Sequence, residues 1–227
     1  MSFLSSFDPI TILIYAVVLF TAFPIHEYAH GFAAYKLGDD TAALSGRLSL
    51  NPLVHLDPIG TVSMLLFGFG WAKPVPVNPV RFKKVSMKTG MAITAFAGPL
   101  SNIILSFISF TIFKLLAFIS FGMEESAFLE FLQMVFSMIS SVNIGLAVFN
   151  LIPIPPLDGS RILFAILPER YYFKIMNYER YIRLALLVLI FFGALDAPLG
   201  TLQGFFFNLF DIITKPIDLI FELIYSV

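Results

Sequence analysis

The chain has 227 residues, of which 58% are hydrophobic and only 13% charged, against about a quarter charged in a soluble domain. A formal charge of −1 without a basic run excludes a nucleic-acid partner on electrostatic grounds, and the lack of cysteine excludes disulfides and thiolate metal sites. The composition is that of an integral membrane protein, and any metal in it must be held by His, Asp or Glu.

In chain order, the first Lys or Arg is Lys36. The start therefore lacks the basic flank of a cleaved signal peptide, and the first apolar segment is expected to stay in the mature protein. Ile10–Lys36, Met91–Phe121 and Ala127–Ile152 each reach the roughly 20 residues that span a bilayer core. Pro58–Trp71, PIGTVSMLLFGFGW, is apolar but short and punctuated by Gly. It reads as a re-entrant segment returning to the cytoplasmic side. Lys73–Pro79, KPVPVNP, excludes a helix or a central strand and suits an extended edge. Lys73, Arg81, Lys83, Lys84 and Lys88, with no acid among them, place the first connection in the cytoplasm. Glu124, Glu125 and Glu130, with no base, place the second outside. The basic stretch from Arg161 to Arg183 places the third inside again, which leaves the N-terminus outside.

A fourth apolar run, Tyr181–Leu195, is short, and Asp196 interrupts its continuation toward Phe210. In the tail, Asn208, Asp211, Lys215, Asp218 and Glu222 recur at steps of three and four. They form one polar stripe on a helix, kinked at Pro216, that either lies at the membrane interface or packs against the rest of the protein. The expected architecture is an all-α polytopic membrane protein forming one domain over residues 1–227. It has a three-helix core over about residues 10–167, peripheral helices over about 168–227, and a small re-entrant or β-strand element after the first core helix.

Three motifs carry chemistry. His26, Glu27 and His30 form HExxH; on a helix both imidazoles lie on one face and reach one zinc ion, with Glu27 placed to take a proton from water there. Ionisable groups inside a membrane are costly and functional by default. A catalytic zinc needs three protein ligands and an open position. Without cysteine the third is His55 or a carboxylate, and the strongest candidate is Asp158 in NLIPIPPLDG, where three prolines end the third helix. The plainer reading of Asp158 is a cap on the next helix. His55, in LNPLVHLDPIGT, reads as a transient ligand, a gate or a substrate-binding group, or more plainly as a histidine bonded to Asp57, itself a turn residue before Pro58. His26 precedes Lys36 by roughly 15 Å of helix, so the site lies below the cytoplasmic surface.

HEYAH, then GPLSN (Gly98, Pro99, Asn102), then NLIPIPPLDG, in that order from His26 to about Leu167, resemble the site-2 protease family of intramembrane zinc metalloproteases. The resemblance implies Zn2+ held by His26, His30 and Asp158, with Glu27 as general base. It implies that Asn102 and Asn150 face the site, where their amides would steady an oxyanion, although Asn102 serves equally well as glue between helices. It also implies that the extended piece near Trp71–Asn78, with Val75 and Val77, holds an extended substrate. No insertion for a PDZ domain and no nucleotide-binding domain are visible, as in the short bacterial and archaeal members, so a plasma membrane is expected and a nucleotide is not. The expected activity is hydrolysis of peptide bonds within or near transmembrane segments of other proteins. Two other readings are a transporter of zinc or another divalent metal, using the same His and Asp, and an inactive scaffold for transmembrane segments. Glu27, beside two ligands, has no task in transport, and the presence of every catalytic letter speaks against a scaffold.

Overall fold

The computed structural model describes residues 9–67, 72–121 and 126–225. Among them the structure is helical, with no strand. The first helix, α1 (Pro9–Leu37), carries HExxH in its C-terminal half. A short helix, α2 (Thr41–Leu44), a tight turn at Pro52–Val54 and the ten-residue α3 (Pro58–Phe67) follow. From Ala72 an extended stretch with one tight turn at Pro79–Arg81 leads to the longest helix, α4 (Met87–Phe121), and α5 (Ala127–Asn150) follows. The chain unwinds between Leu151 and Leu157 before α6 (Asp158–Ile166), α7 (Glu169–Met176), α8 (Glu179–Phe191) and α9 (Asp196–Tyr225).

Two of these helices, α4 and α5, are long and apolar enough to cross a membrane; α8 and α9, bent by 81° at their junction, add a third if they make one span. The helix α4 is the hub, touching α1, α5, α6 and α9. Its buried positions are Gly90, Thr94, Ala95, Gly98, Pro99, Asn102, Ser106 and Ser109. They recur at steps of three and four and are all small or polar, so neighbouring backbones approach closely. The Ser106 hydroxyl donates to the Ser140 carbonyl at 2.8 Å and the Ser140 hydroxyl to the Ser106 carbonyl at 3.0 Å, which clips α4 to α5. Apolar packing takes over on both sides: Ala22 of α1 meets Val135 and Ile139 of α5, while Ile144 and Val148 of α5 meet Phe210 of α9.

Each of the three expected core segments falls on a helix within a few residues of its expected limits. The segment from Pro58 is helical as far as Phe67; residues 68–71, including Trp71, and the acidic pair Glu124 and Glu125 lie outside the described residues. The expected β-strand is not formed among the described residues: Leu56 and Ala72 make one isolated antiparallel bridge, and Lys73–Asn78 has no ladder partner. Pro74, Pro76 and Pro79 withhold the N–H groups that a ladder requires. The run from Tyr181 does break before its continuation toward Phe210: α8 ends at Phe191, and Asp196 opens α9 at 81° to it, where a carboxylate suits the positive end of the helix dipole. Two residues of the polar stripe on α9, Asp211 and Asp218, meet the rest of the protein, while Asn208, Lys215 and Glu222 are exposed. Lys114 of α4 donates to Asp211 (2.9 Å), Asp218 (2.8 Å) and the Thr214 hydroxyl (3.1 Å).

That contact generates a prediction. Lys114→Met keeps the stem but removes the three bonds, and membrane helix hydrogen bonds are worth about 1 kcal/mol each or less. The variant is expected to unfold in detergent with a stability loss of about 1–2 kcal/mol, as read by chemical denaturation, with unchanged metal content.

Candidate metal centre

The helix α1 brings His26, Glu27 and His30 to one face, and α6 brings Asp158 to meet it at the point where α4 crosses both. His26 Nε2 and His30 Nε2 lie 3.0 Å apart. Each lies 3.2 Å from Asp158 Oδ2. Both imidazoles are buried and the Asp158 side chain is only 13% exposed.

The far nitrogens decide what these atoms offer. His30 Nδ1 lies 2.7 Å from the Thr94 carbonyl, which can only accept, so Nδ1 carries the proton. His26 Nδ1 lies 2.5 Å from Asn102 Oδ1. The Asn102 amide nitrogen donates to Asn143 Oδ1 at 2.6 Å and to the Ala22 carbonyl at 3.4 Å, which fixes its oxygen as the acceptor for His26. Both rings therefore turn Nε2 lone pairs toward one point, and a carboxylate oxygen faces the same point. Three electron-rich atoms at this spacing repel one another unless a cation lies among them. Neighbouring ligand atoms in a tetrahedral zinc site with bonds of about 2.0–2.1 Å lie roughly 3.3 Å apart. The spacings of 3.0, 3.2 and 3.2 Å fit that ion, and the donor set of two imidazoles and one carboxylate fits zinc chemistry.

Two glycines make the approach possible. A Cβ on Gly98 would fall 2.4 Å from His30 Nε2 and 2.7 Å from His26 Cε1, so α4 can lie against both rings only with hydrogen there. A Cβ on Gly159 would fall 2.2 Å from the Leu151 carbonyl oxygen, so the start of α6 can tuck under the end of α5 only at glycine. Pro99, one residue beyond Gly98, removes the N–H that would bond the Ala95 carbonyl. It loosens the ladder next to the Thr94 carbonyl that His30 uses.

Glu27 is buried beside the two imidazoles and does not join the trio. Its Oε2 accepts the backbone N–H of Val75 at 2.8 Å. Its Oε1 makes no hydrogen bond among the described residues.

The other expected positions are distributed differently. Asn102 is committed on both ends to His26, Asn143 and Ala22, which is orientation of a ring and helix packing, and leaves no donor for an oxyanion. Asn150 turns back on its own helix, donating to the Leu146 carbonyl at 2.9 Å. His55 is fully buried, with Nε2 2.6 Å from the Ser49 carbonyl and Nδ1 without a partner; it bonds neither Asp57 nor the trio. Asp57 instead accepts the Gly60 N–H at 2.9 Å, closing the first turn of α3, as a turn residue does. Val75 is buried against the helix, while Val77 is half-buried. Sequence reasoning did not find Thr94, Asn143, Asp39 or Arg47. Thr94 acts through its carbonyl, which any residue carries, and no motif marks the other three. Fully buried Asp39 accepts Asn78 N–H at 2.6 Å and Thr41 N–H at 3.0 Å, fastening the end of the extended segment.

Known proteins carry the same pattern. The model of peptidase family M50 matches residues 14–193. "Putative zinc metalloprotease YwhC" of Bacillus subtilis (strain 168) is 44% identical over 195 residues, 85% of each chain. "Putative zinc metalloprotease MJ0611" of Methanocaldococcus jannaschii is 30% identical over 172 residues, 71% of this chain and 76% of its own. "Putative zinc metalloprotease Rip2" of Mycolicibacterium smegmatis is 28% identical over 142 residues, 60% of this chain and half of its own length. No solved structure gives a significant match. The chain belongs to peptidase family M50, the membrane-associated zinc metallopeptidases of the site-2 protease type.

Proposed function

We propose that this protein hydrolyses peptide bonds within or near transmembrane segments of other membrane proteins, with zinc held by His26, His30 and Asp158 and with Glu27 as the general base. The observation that carries this reading is the convergence of three ligand atoms within 3.2 Å of one another, on two buried imidazoles and a largely buried carboxylate, with a fourth ionisable group beside them that is not a ligand. When bound, zinc supplies Lewis acidity, which acidifies water and polarises a carbonyl oxygen.

The residues of the chain do the rest. His26 and His30 present Nε2 because Asn102 and Thr94 hold their other nitrogens. Glu27 takes the proton of the attacking water on Oε1, the oxygen without a hydrogen bond among the described residues, and delivers it to the departing amide nitrogen, while Oε2 accepts from Val75. A substrate must be extended to expose its amide. The segment Lys73–Asn78 is suited to hold such a strand, and its N–H groups can be accounted for one by one. Lys73 donates to the His55 carbonyl at 2.7 Å, Val75 to Glu27 and Asn78 to Asp39. Among the described residues only the Val77 N–H is left for a strand to pair with.

The reading places α1, α4 and α5 across the bilayer with the N-terminus outside. Exposed Lys36, Arg81, Lys83 and Lys84 gather where α1 ends and α4 begins, with the Lys84 ammonium on the Lys36 carbonyl at 2.7 Å. By the distribution of positive charge that end is cytoplasmic, and the metal centre lies about three turns of helix inside it. A metal transporter fits less well. A path through a membrane needs several ligand sets, and among the described residues one His/Asp group has ion-binding spacing.

Two measurements test this proposal. Glu27→Gln should lower cleavage of a membrane-embedded reporter by about 10²- to 10⁴-fold while leaving one zinc per chain; metal flux in vesicles that ignores the substitution would favour transport. Gly98→Ala places a methyl group against both rings, and zinc affinity measured by competition with a chelator should fall about 10- to 100-fold. Retained affinity would show that the close approach of α4 is not what holds the rings.

A further inference from the structure

Val75 sits where several constraints meet. Pro74 and Pro76 on either side carry no N–H, and Pro76 holds Val75 in an extended conformation. Of these three residues only Val75 can donate, and its N–H goes to Glu27 Oε2. Its side chain is 8% exposed and rests on Gly31. A Cβ at Gly31 would come within 3.1 Å of Val75 Cγ1, 3.3 Å of Ala42 Cβ and 3.4 Å of Leu48 Cδ1. Glu27 and Gly31 are four residues apart in α1 and so lie one turn apart on the same face. One valine therefore spans both, with its backbone on the carboxylate and its side chain on the glycine. Arg47 holds the chain just upstream, donating from Nη2 to the Lys73 carbonyl at 2.6 Å and the Pro74 carbonyl at 3.3 Å.

We propose that Val75 is a positioning residue for Glu27, its backbone N–H fixing which carboxylate oxygen faces the metal centre, and that Gly31 provides the seat that aims this N–H. The proposal rests on reading Glu27 as the general base. A glutamate side chain has three torsions, so even a buried carboxylate is held toward one point only when a hydrogen bond anchors it. Anchoring Oε2 holds the carboxylate in one orientation and leaves Oε1 as the oxygen with both lone pairs uncommitted among the described residues. The anchor belongs to the segment proposed to hold substrate, so a strand pairing at Val77 bears on the same stretch of backbone that orients the base. Val75 then acts on turnover rather than on substrate affinity, which separates it from a residue that merely lines the groove.

The test uses the full-length protein in lipid vesicles with one transmembrane reporter, measuring kcat, KM and zinc per chain. Val75→Pro removes the N–H while keeping an extended backbone. It should lower kcat about ten- to a hundredfold, as expected for a misplaced catalytic group. KM should stay within about twofold and zinc at one per chain. Gly31→Ala should lower kcat in the same way, and adding Val75→Ala to it, which removes the crowding Cγ1 but keeps the N–H, should restore most of the loss. Wild-type kcat in Val75→Pro, a loss confined to KM, loss of zinc together with activity, or no recovery in the Gly31→Ala, Val75→Ala pair would each overturn the proposal. Glu27→Gln separates the two levels. If it cleaves at the wild-type rate, the base reading falls and this one with it; if it is inactive while Val75→Pro is fully active, only the positioning role is lost.

Discussion

Two imidazole lone pairs and a carboxylate oxygen face one another across 3.0–3.2 Å in a nearly dry interior. With neither a metal ion nor a shared proton among these atoms the arrangement is repulsive, and burial strengthens the repulsion because little water is present to screen it. With a divalent ion at the centre the same three atoms become its ligands, and metal binding contributes directly to the stability of the folded state. The helix crossings in the core are consistent with holding this point. The helix α1 brings two imidazoles one turn apart, α6 brings the carboxylate at its first residue, and hydrogen bonds from α4 fix the orientation of the rings that the proposed ion would use.

The crossing depends on the absence of side chains as much as on their presence. Hydrogen at Gly98 lets α4 touch both imidazoles, and hydrogen at Gly159 lets α6 begin close under the end of α5. The remaining buried positions of α4 are small or polar, so that helix packs by close backbone approach and by hydrogen bonds such as the Ser106–Ser140 pair. This suits a protein whose unfolded reference is itself in lipid, where apolar burial between helices yields little and close van der Waals contact is the available attraction. The large apolar side chains point the other way: Ile93, Phe96, Leu100, Ile104 and Ile108 of α4 are exposed, as a lipid-facing surface requires.

How much of this was legible beforehand depended on how local the signal was. HExxH is a helical spacing within five residues, and Asp158 is marked by the three prolines that end the preceding helix. The helical segments could be read because hydropathy over about 20 residues is a strong signal. The polar stripe of α9 was visible, but not its partner. Lys114 lies 97 residues from Asp211, and nothing in a stripe says which helix it faces. The strand expected near Val75 failed for a reason already present in its letters, since prolines exclude a central strand and leave an edge with nothing to pair to. The hold of Thr94 on His30, of Asn143 on Asn102 and of Val75 on Glu27 runs through backbone atoms or distant residues, which carry no compositional mark. Asn102 was noticed for its motif, but only its contacts show that its amide is fully occupied.

The most direct test of the whole account is zinc K-edge X-ray absorption on the purified protein in lipid. The account predicts a first shell of nitrogen and oxygen at about 2.0–2.1 Å, with outer-shell scattering from two imidazole rings in the wild type and from one ring in His30→Ala. A spectrum without imidazole scattering, or one left unchanged by loss of His30, would mean that the ion, if held at all, is held elsewhere.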